Sequence, residues 1–283
     1  MEIGIIGLGF VGGAIKSSFE FKNINVSGYD KFKDGGIGNI DDMFQKDILF
    51  LCLPTPFDEK EMCYDITSIR ETCKILQENA YSGLIVIKST LEPTTTDNLS
   101  KEFDLKIIHN PEFLTEATAY EDFHNQRHIV LGKGVNVLDK ELNKLNKLYN
   151  EYYPDAEISI VSSDESECMK LFVNSFYAAK IQFFNELYLL CKKINCNYDS
   201  IKELMLKNNW INPMHTKVPG KNNELSYGGN CFPKDTNALL HFMKKHNSKH
   251  DVLEAVINER NSMRGHHLGV SVPEHPCPHA NSA

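Results

Sequence analysis

Nine residues, Tyr227 to Asp235 (YGGNCFPKD), gather a thiol, an ammonium and a carboxylate behind a glycine pair. Gly228 and Gly229 free the backbone to approach a ligand, Cys231 is a nucleophile, and the Lys234 cation favours the thiolate that attacks. Such a group does covalent chemistry, adding to a carbonyl and releasing it in a later step. The same residues also admit a plainer reading, in which Cys231 is structural and Lys234 and Asp235 are a solvated charge and a helix cap.

A second set bears on a nucleotide. GLGFVG, Gly7 to Gly12, follows an apolar run and opens a helical pattern, the context that makes a GxGxxG match informative. Gly7 permits a tight turn, Gly9 lets the backbone approach a pyrophosphate, and Gly12 lets helix and strand pack closely. The pyrophosphate would rest on the free N–H groups of the helix N-terminus. Asp30 ends the next apolar run, 18 residues after Gly12. A carboxylate there accepts hydrogen bonds from an adenosine ribose and repels a 2′-phosphate, so NAD is expected over NADP. Lys31 and Lys33 weaken that preference, and a glycine-rich turn without nucleotide is the alternative.

These residues need a scaffold. Glu2 to Ile6, Asn25 to Tyr29, Asp47 to Leu53, Leu84 to Lys88, Leu105 to His109 and His128 to Leu131 read as strands. Continuous apolar runs of this kind fit a parallel sheet covered on both faces. Helical patterns at Val11 to Phe19 and Ile66 to Asn79 supply crossovers. Beyond Val135 the pattern turns mostly helical, and Asp164 to Ile194 runs without Pro or Gly, about 45 Å at 1.5 Å per residue. Ser162, Ser163 and Asp164 are cap candidates for that helix. Its apolar residues lie on more than one side, which predicts burial against the first domain and against a second copy of the chain. Further helices are predicted at Asp199 to Lys207, Asp235 to Lys245 and Val252 to Met263. The expected fold class is α/β: a Rossmann-like doubly wound parallel sheet over 1–162, then a mostly helical central dimerisation domain over 163–264. Residues 265–283, with three prolines and four histidines, carry no period and read as a disordered or non-native tail.

Composition narrows the function. At 283 residues, 41% hydrophobic and 24% charged, the chain can bury two cores. A net charge of -8 argues against a nucleic-acid partner. No apolar run approaches the roughly 20 residues needed to span a bilayer, and no signal-like segment opens the chain, so a cytoplasmic location is expected. The eight cysteines are scattered and read as reduced, with no metal site expected.

Seven ordered segments carry a resemblance: GLGFVG, LCLPTP (Leu51 to Pro56), KST (Lys88 to Thr90), NPEFLTEATA (Asn110 to Ala119), ESECMKLFVNSF (Glu165 to Phe176), VPG (Val218 to Gly220) and GGNCFPKDT (Gly228 to Thr236). In order and spacing the chain resembles the UDP-glucose/GDP-mannose dehydrogenase family from Met1 to about Arg264. That resemblance implies NAD-dependent oxidation of a nucleotide sugar's primary alcohol, twice, to a uronate. It implies Cys231 as the residue that forms a thiohemiacetal and then a thioester, and Glu112 as the base for thioester hydrolysis. Lys170, Asn174 and Asp235 are implied to hold the reacting oxygen and a water; Lys170 and Asn174 share a helix face. Thr90 and Glu116 are implied beside the nicotinamide, with Phe10, Val11, Pro54, Thr55 and Lys234 as further cofactor contacts. Phe113, Leu114, Tyr227, Gly228 and Gly229 are implied to bind substrate, with Glu112, Lys170 and Asn174. The VPG segment and the linker after it resemble the UDP-glucose branch more than the GDP-mannose branch. A homodimer through the long helix is implied as well.

Three departures matter. Between Asp30 and Asp47 only sixteen residues intervene, where relatives carry a longer helical segment. His215 stands where many relatives place an arginine that reaches the partner's substrate, and a histidine keeps a donor without a fixed charge. Relatives also continue into a second Rossmann-like domain over the uridine diphosphate. Its absence here leaves open a chain that binds NAD but turns over poorly, beside the full enzyme. A Rossmann-type dehydrogenase for a small hydroxy acid is a third reading, which leaves GGNCFPKD unexplained.

Overall fold

The computed structural model describes residues 1–220 and 223–264; the proposed tail at 265–283 lies outside them. Packing divides the chain into Met1–Val173 and a second unit from Asn174 onward.

The first unit is built on strands β1 (Ile3–Ile6), β2 (Val26–Tyr29), β3 (Ile48–Leu51), β4 (Phe57–Asp58), β5 (Cys63–Tyr64), β6 (Leu84–Ile87), β7 (Lys106–His109), β8 (His128–Lys133) and β9 (Glu157–Ser162). Between them run α1 (Phe10–Phe21), α2 (Thr67–Glu78), α3 (Thr95–Phe103), α4 (Ala119–His124) and α5 (Asp139–Tyr152). Seven strands form one sheet in the order β2-β1-β3-β6-β7-β8-β9, and β4 and β5 form a small hairpin. From β2 to β7 all pairs are parallel, with Ile3 opposite both Val26 and Ile48, and Ile48 opposite Leu84. Successive side chains of each strand face opposite layers. Ile5, Phe50 and Val86 join one core with Phe19 of α1 and Leu145 of α5, while Leu49, Ile85 and Ile107 join another with Cys73 of α2 and Leu99 of α3. Burial on both faces is why these strands read as unbroken apolar runs.

The expected α/β doubly wound class holds, with one antiparallel step. β8 pairs antiparallel to β7, His109 opposite Gly132, and β9 then pairs parallel to β8. β8 starts beyond the carboxyl end of β7, so the link between them needs no crossover and keeps residues 110–127 at that end of the sheet. The sequence reading missed β9 because it is an edge strand of half-exposed residues without an apolar run.

Helix α6 (Ser163–Lys193) runs 31 residues without a break. Phe172, Phe176, Phe183 and Leu190, spaced four and seven apart, form one stripe along it, each more than half exposed. The second unit adds α7 (Tyr198–Leu206), α8 (Phe232–Lys245) and α9 (Asp251–Arg264). One apolar cluster there joins Phe184 and Cys191 to Tyr198 and Val218. Helix α8 begins three residues before the predicted Asp235. Pro233 sits in its first turn, where a missing N–H costs nothing, and this makes Cys231 the N-cap residue.

Candidate active site

In the first unit every candidate residue but Lys170 follows the carboxyl end of a parallel strand, where open α/β sheets bind ligands. Gly7 follows β1 with φ +88 and donates its N–H to Tyr29 O at 2.9 Å. A Cβ on Gly12 would lie 1.9 Å from Gly7 O, whereas one on Gly9 meets nothing within 4 Å. The turn is thus closed on the Gly12 side and open in front of Gly9. No side chain caps α1 and no acid lies in its first turn, so its N–H groups are available to a pyrophosphate. Phe10 is exposed and Val11 half-buried at that end.

Asp30 follows β2. Its Oδ2 accepts the Leu8 N–H at 2.7 Å, and Oδ1 accepts the N–H groups of Phe32 and Lys33 at 2.9 Å. Burial opposes its ionisation, but these bonds and the Lys33 charge outweigh burial and hold the carboxyl below its usual range. A carboxylate on the loop between strand and helix suits the ribose of NAD, and so the residues present fit the cofactor. Lys33 Nζ is occupied with Leu8 O at 2.7 Å.

After β3, Pro54 is exposed and Thr55 buried, its hydroxyl donating to Thr90 O at 2.9 Å. Thr90 follows β6 and is buried. After β7, Glu112 is buried and its Oε2 accepts the Leu114 N–H. Lys170 of α6 donates to Glu112 O and reaches Glu112 Oε1 at 3.4 Å, with its ammonium 5.1 Å from the Phe113 ring centroid. Glu112, Phe113, Leu114 and Lys170 therefore meet. Glu116 does not join them: it opens a short 3-10 turn and is exposed.

Beneath these residues lies a polar layer that sequence reasoning missed. Lys88 Nζ donates to Asn110 Oδ1 at 3.0 Å, and the Tyr149 hydroxyl donates to the same oxygen at 2.6 Å. Burial pushes the Lys88 ammonium down to about 8, with Glu112 and Lys170 among the charges it feels. His109 is fully buried beside it. The available signal was a polar residue closing an apolar strand, as in LIVIK and KIIH.

In the second unit Cys231 caps α8, and Asp235, one turn on, donates its backbone N–H to Cys231 O at 3.0 Å. The amino end of a 14-residue helix favours an anion at that position. Asp235 is fully buried; its Oδ2 accepts Asn174 Nδ2 at 2.6 Å and its Oδ1 pairs with Lys234 Nζ at 2.5 Å. Asn174, Lys234 and Asp235 therefore meet one helical turn from the thiol. Gly229 has φ +77 and open space where a Cβ would stand, while a Cβ on Gly228 would meet the Arg264 guanidinium at 1.7 Å. Arg264 also donates to Leu225 O, and Arg260 donates to the carbonyl of buried Tyr227. This arginine pair on α9 supports the glycine loop, a role no local motif announces. His215, with φ +65, packs its ring 4.8 Å from Tyr177 and 5.5 Å from Phe232. Burial and Lys180 hold its pKa below the usual imidazole range. Among the described residues no group of His, Cys, Asp and Glu is placed to hold a metal, and no helix is long and apolar enough to cross a membrane.

Residues 38–153 match the UDP-glucose/GDP-mannose dehydrogenase family, NAD binding domain, and residues 164–262 match that family's central domain. The first match begins after Gly12 and Asp30, whose reading stands on geometry. UDP-glucose 6-dehydrogenase YwqF of Bacillus subtilis (strain 168) is 29% identical over 232 residues, 78% of this chain and 50% of that protein. UDP-glucose 6-dehydrogenase of Rickettsia prowazekii is 32% identical over 225 residues, 75% of this chain and 48% of that protein. The chain spans about half the length of these curated relatives. A solved UDP-glucose dehydrogenase from the hyperthermophilic archaeon Pyrobaculum islandicum shares the fold, with a TM-score of 0.81 at 24% identity over 92% of this chain and 68% of its own.

Proposed function

Because the chain belongs to the UDP-glucose/GDP-mannose dehydrogenase family and binds NAD, we propose that it oxidises UDP-glucose to UDP-glucuronate in two steps, with Cys231 as covalent catalyst. The observation that carries this reading is the seat of Cys231 at the amino end of α8, one turn from an Asp235 carboxylate buried against Asn174. Bound NAD supplies the hydride acceptor for each oxidation. Lys170, Asn174 and Asp235 hold the C6 oxygen and a water, and the Lys170 ammonium steadies negative charge that develops on that oxygen. Phe113, Leu114, Tyr227, Gly228 and Gly229 hold the sugar nucleotide, and Thr90, Glu116 and Lys234 lie toward the cofactor.

Loss of hydride from C6 and of its hydroxyl proton to the held water gives an aldehyde; the Cys231 thiolate then adds to that carbon, the carbonyl π bond opens, and its oxygen takes the proton back to give a thiohemiacetal. Loss of hydride from that carbon and of the hydroxyl proton gives a thioester. Glu112 takes a proton from water as the water oxygen adds to the thioester carbon; the C–S bond breaks and the thiolate leaves with uronate formed. A second copy of the chain covers the exposed Phe172, Phe176, Phe183 and Leu190 stripe of α6, an apolar surface suited to a homodimer.

Incubation with UDP-glucose and NAD, counting NADH per sugar, tests the reading. Two NADH with uronate is the expected result. One NADH indicates an ordinary alcohol dehydrogenase, and none indicates a chain that binds NAD without turnover. The same count with GDP-mannose tests the choice of sugar nucleotide.

A further inference from the structure

The segment from Ser89 to Thr96 contains Thr90, and helix α6 grips it at both ends through adjacent residues. At one end Ser89 O faces His109 Nε2 at 3.3 Å, and His109 Nδ1 faces Ser166 Oγ at 2.8 Å. A carbonyl only accepts, so Nε2 carries the proton and donates. Nδ1 is then an acceptor, and the Ser166 hydroxyl donates to it. At the other end Glu167 Oε1 accepts both the backbone N–H of Thr96 at 2.8 Å and its hydroxyl at 2.6 Å, capping the amino end of α3. All four side chains, His109, Ser166, Glu167 and Thr96, are fully buried. Gly132 of β8 makes the approach possible: a Cβ there would meet Ser166 Cβ at 2.5 Å. Lys170 stands one turn further along the same helix.

We propose that His109, Ser166 and Glu167 are positioning residues, a clamp that fixes the Thr90 segment of the cofactor site to the turn of α6 carrying Lys170. The proposal rests on the reading of Thr90 and Lys170 as cofactor-side and substrate-side groups. Its chemistry requires one tautomer. A neutral imidazole protonated at Nε2 makes both contacts, whereas one protonated at Nδ1 would set a bare Nε2 against the Ser89 carbonyl. Burial pushes the His109 pKa down to about 3, against the Ser89 bond that raises it, and the Lys88 and Lys170 charges add to the lowering. The clamp therefore stays set across the physiological range, unlike an exposed histidine. Glu167 contributes an acceptor at Oε1 rather than a charge, because an amide oxygen at the same place accepts the same two bonds.

The tests use the full chain without sugar substrate. Nitrogen NMR of labelled histidines, with His109 assigned by H109Q, is expected to show a neutral Nε2–H ring unchanged between pH 8 and pH 5. A neutral ring protonated at Nδ1, which leaves Nε2 no proton to give the Ser89 carbonyl, overturns the clamp. Calorimetry with NAD supplies the functional arm. S166A and E167A, checked as folded by their thermal melts, are expected to weaken NAD roughly 3- to 10-fold, and E167Q to bind within about twofold of the parent chain. NAD affinity untouched in E167A, or E167Q as weak as E167A, overturns the proposal. Because neither readout needs turnover, a chain that forms no NADH yet shows both results supports the clamp while overturning the reaction proposed above.

Discussion

The two units hold their polar residues by different means. In the first, Glu112, Lys170 and Thr90 rest on a buried polar layer, Lys88, His109 and Asn110, above a sheet covered on both faces. In the second, Asp235 pairs with Asn174 and Lys234, Arg260 and Arg264 brace the glycine loop, and Trp210 is 88% exposed. A sheet covered on both faces sets its own geometry, whereas the helices of the second unit expose large apolar residues, Phe176, Phe183, Leu190 and Trp210 among them, that suit a covering surface.

The largest effect that sharpens this contrast is expected for Cys231→Ser. Uronate formation should fall by at least about 10³-fold, measured by product mass spectrometry, while NAD affinity stays within about twofold. Retained uronate formation would sink the covalent mechanism and leave the first unit's reading standing. Gly12→Ala should do the reverse. Its Cβ would lie 1.9 Å from Gly7 O, and calorimetry should show NAD binding weakened by about 10²-fold; unchanged binding would mean the turn does not hold the pyrophosphate.

A smaller effect concerns pH. Burial pushes the Glu167 carboxyl from 4.5 up to about 7, against the Thr96 bonds that lower it. The folded chain therefore keeps this proton after the unfolded chain has lost it, so the stability linked to it is full below pH 4.5 and is lost as pH rises to about 7. Urea midpoints of E167Q should lack this component, reducing the pH 5 to pH 8 difference by about 2 kcal/mol. An equal slope in both proteins would show that Glu167 does not titrate in that window. Last, Phe176→Glu with Phe183→Glu should shift sedimentation from dimer to monomer and leave NAD affinity unaltered, since the stripe lies outside the nucleotide turn. A variant that still sediments as a dimer would remove α6 from the interface.

Legibility followed the range of the interactions. GLGFVG was readable because a strand, a turn and a helix are neighbours in sequence, and the 31-residue helix because nothing in it breaks the period. The predicted helix from Asp235 starts late because Pro233, which carries no N–H, fits as well inside the first turn of α8 as before it. That three-residue difference decides the setting of Cys231. The reversed direction of β8 has no local signature, since a strand's own residues do not record which way its neighbour runs.

By itself the sequence determined the nucleotide turn, the alternation of strands and helices, and the supply of reactive side chains, all properties of residues near one another in the chain. The tertiary structure alone decided which of those side chains meet. His109 reaches Ser166 across 57 residues and Glu167 reaches Thr96 across 71. Contacts at such separations form only once the sheet has ordered both partners, because the cost of closing the intervening loops is met by burial elsewhere in the fold.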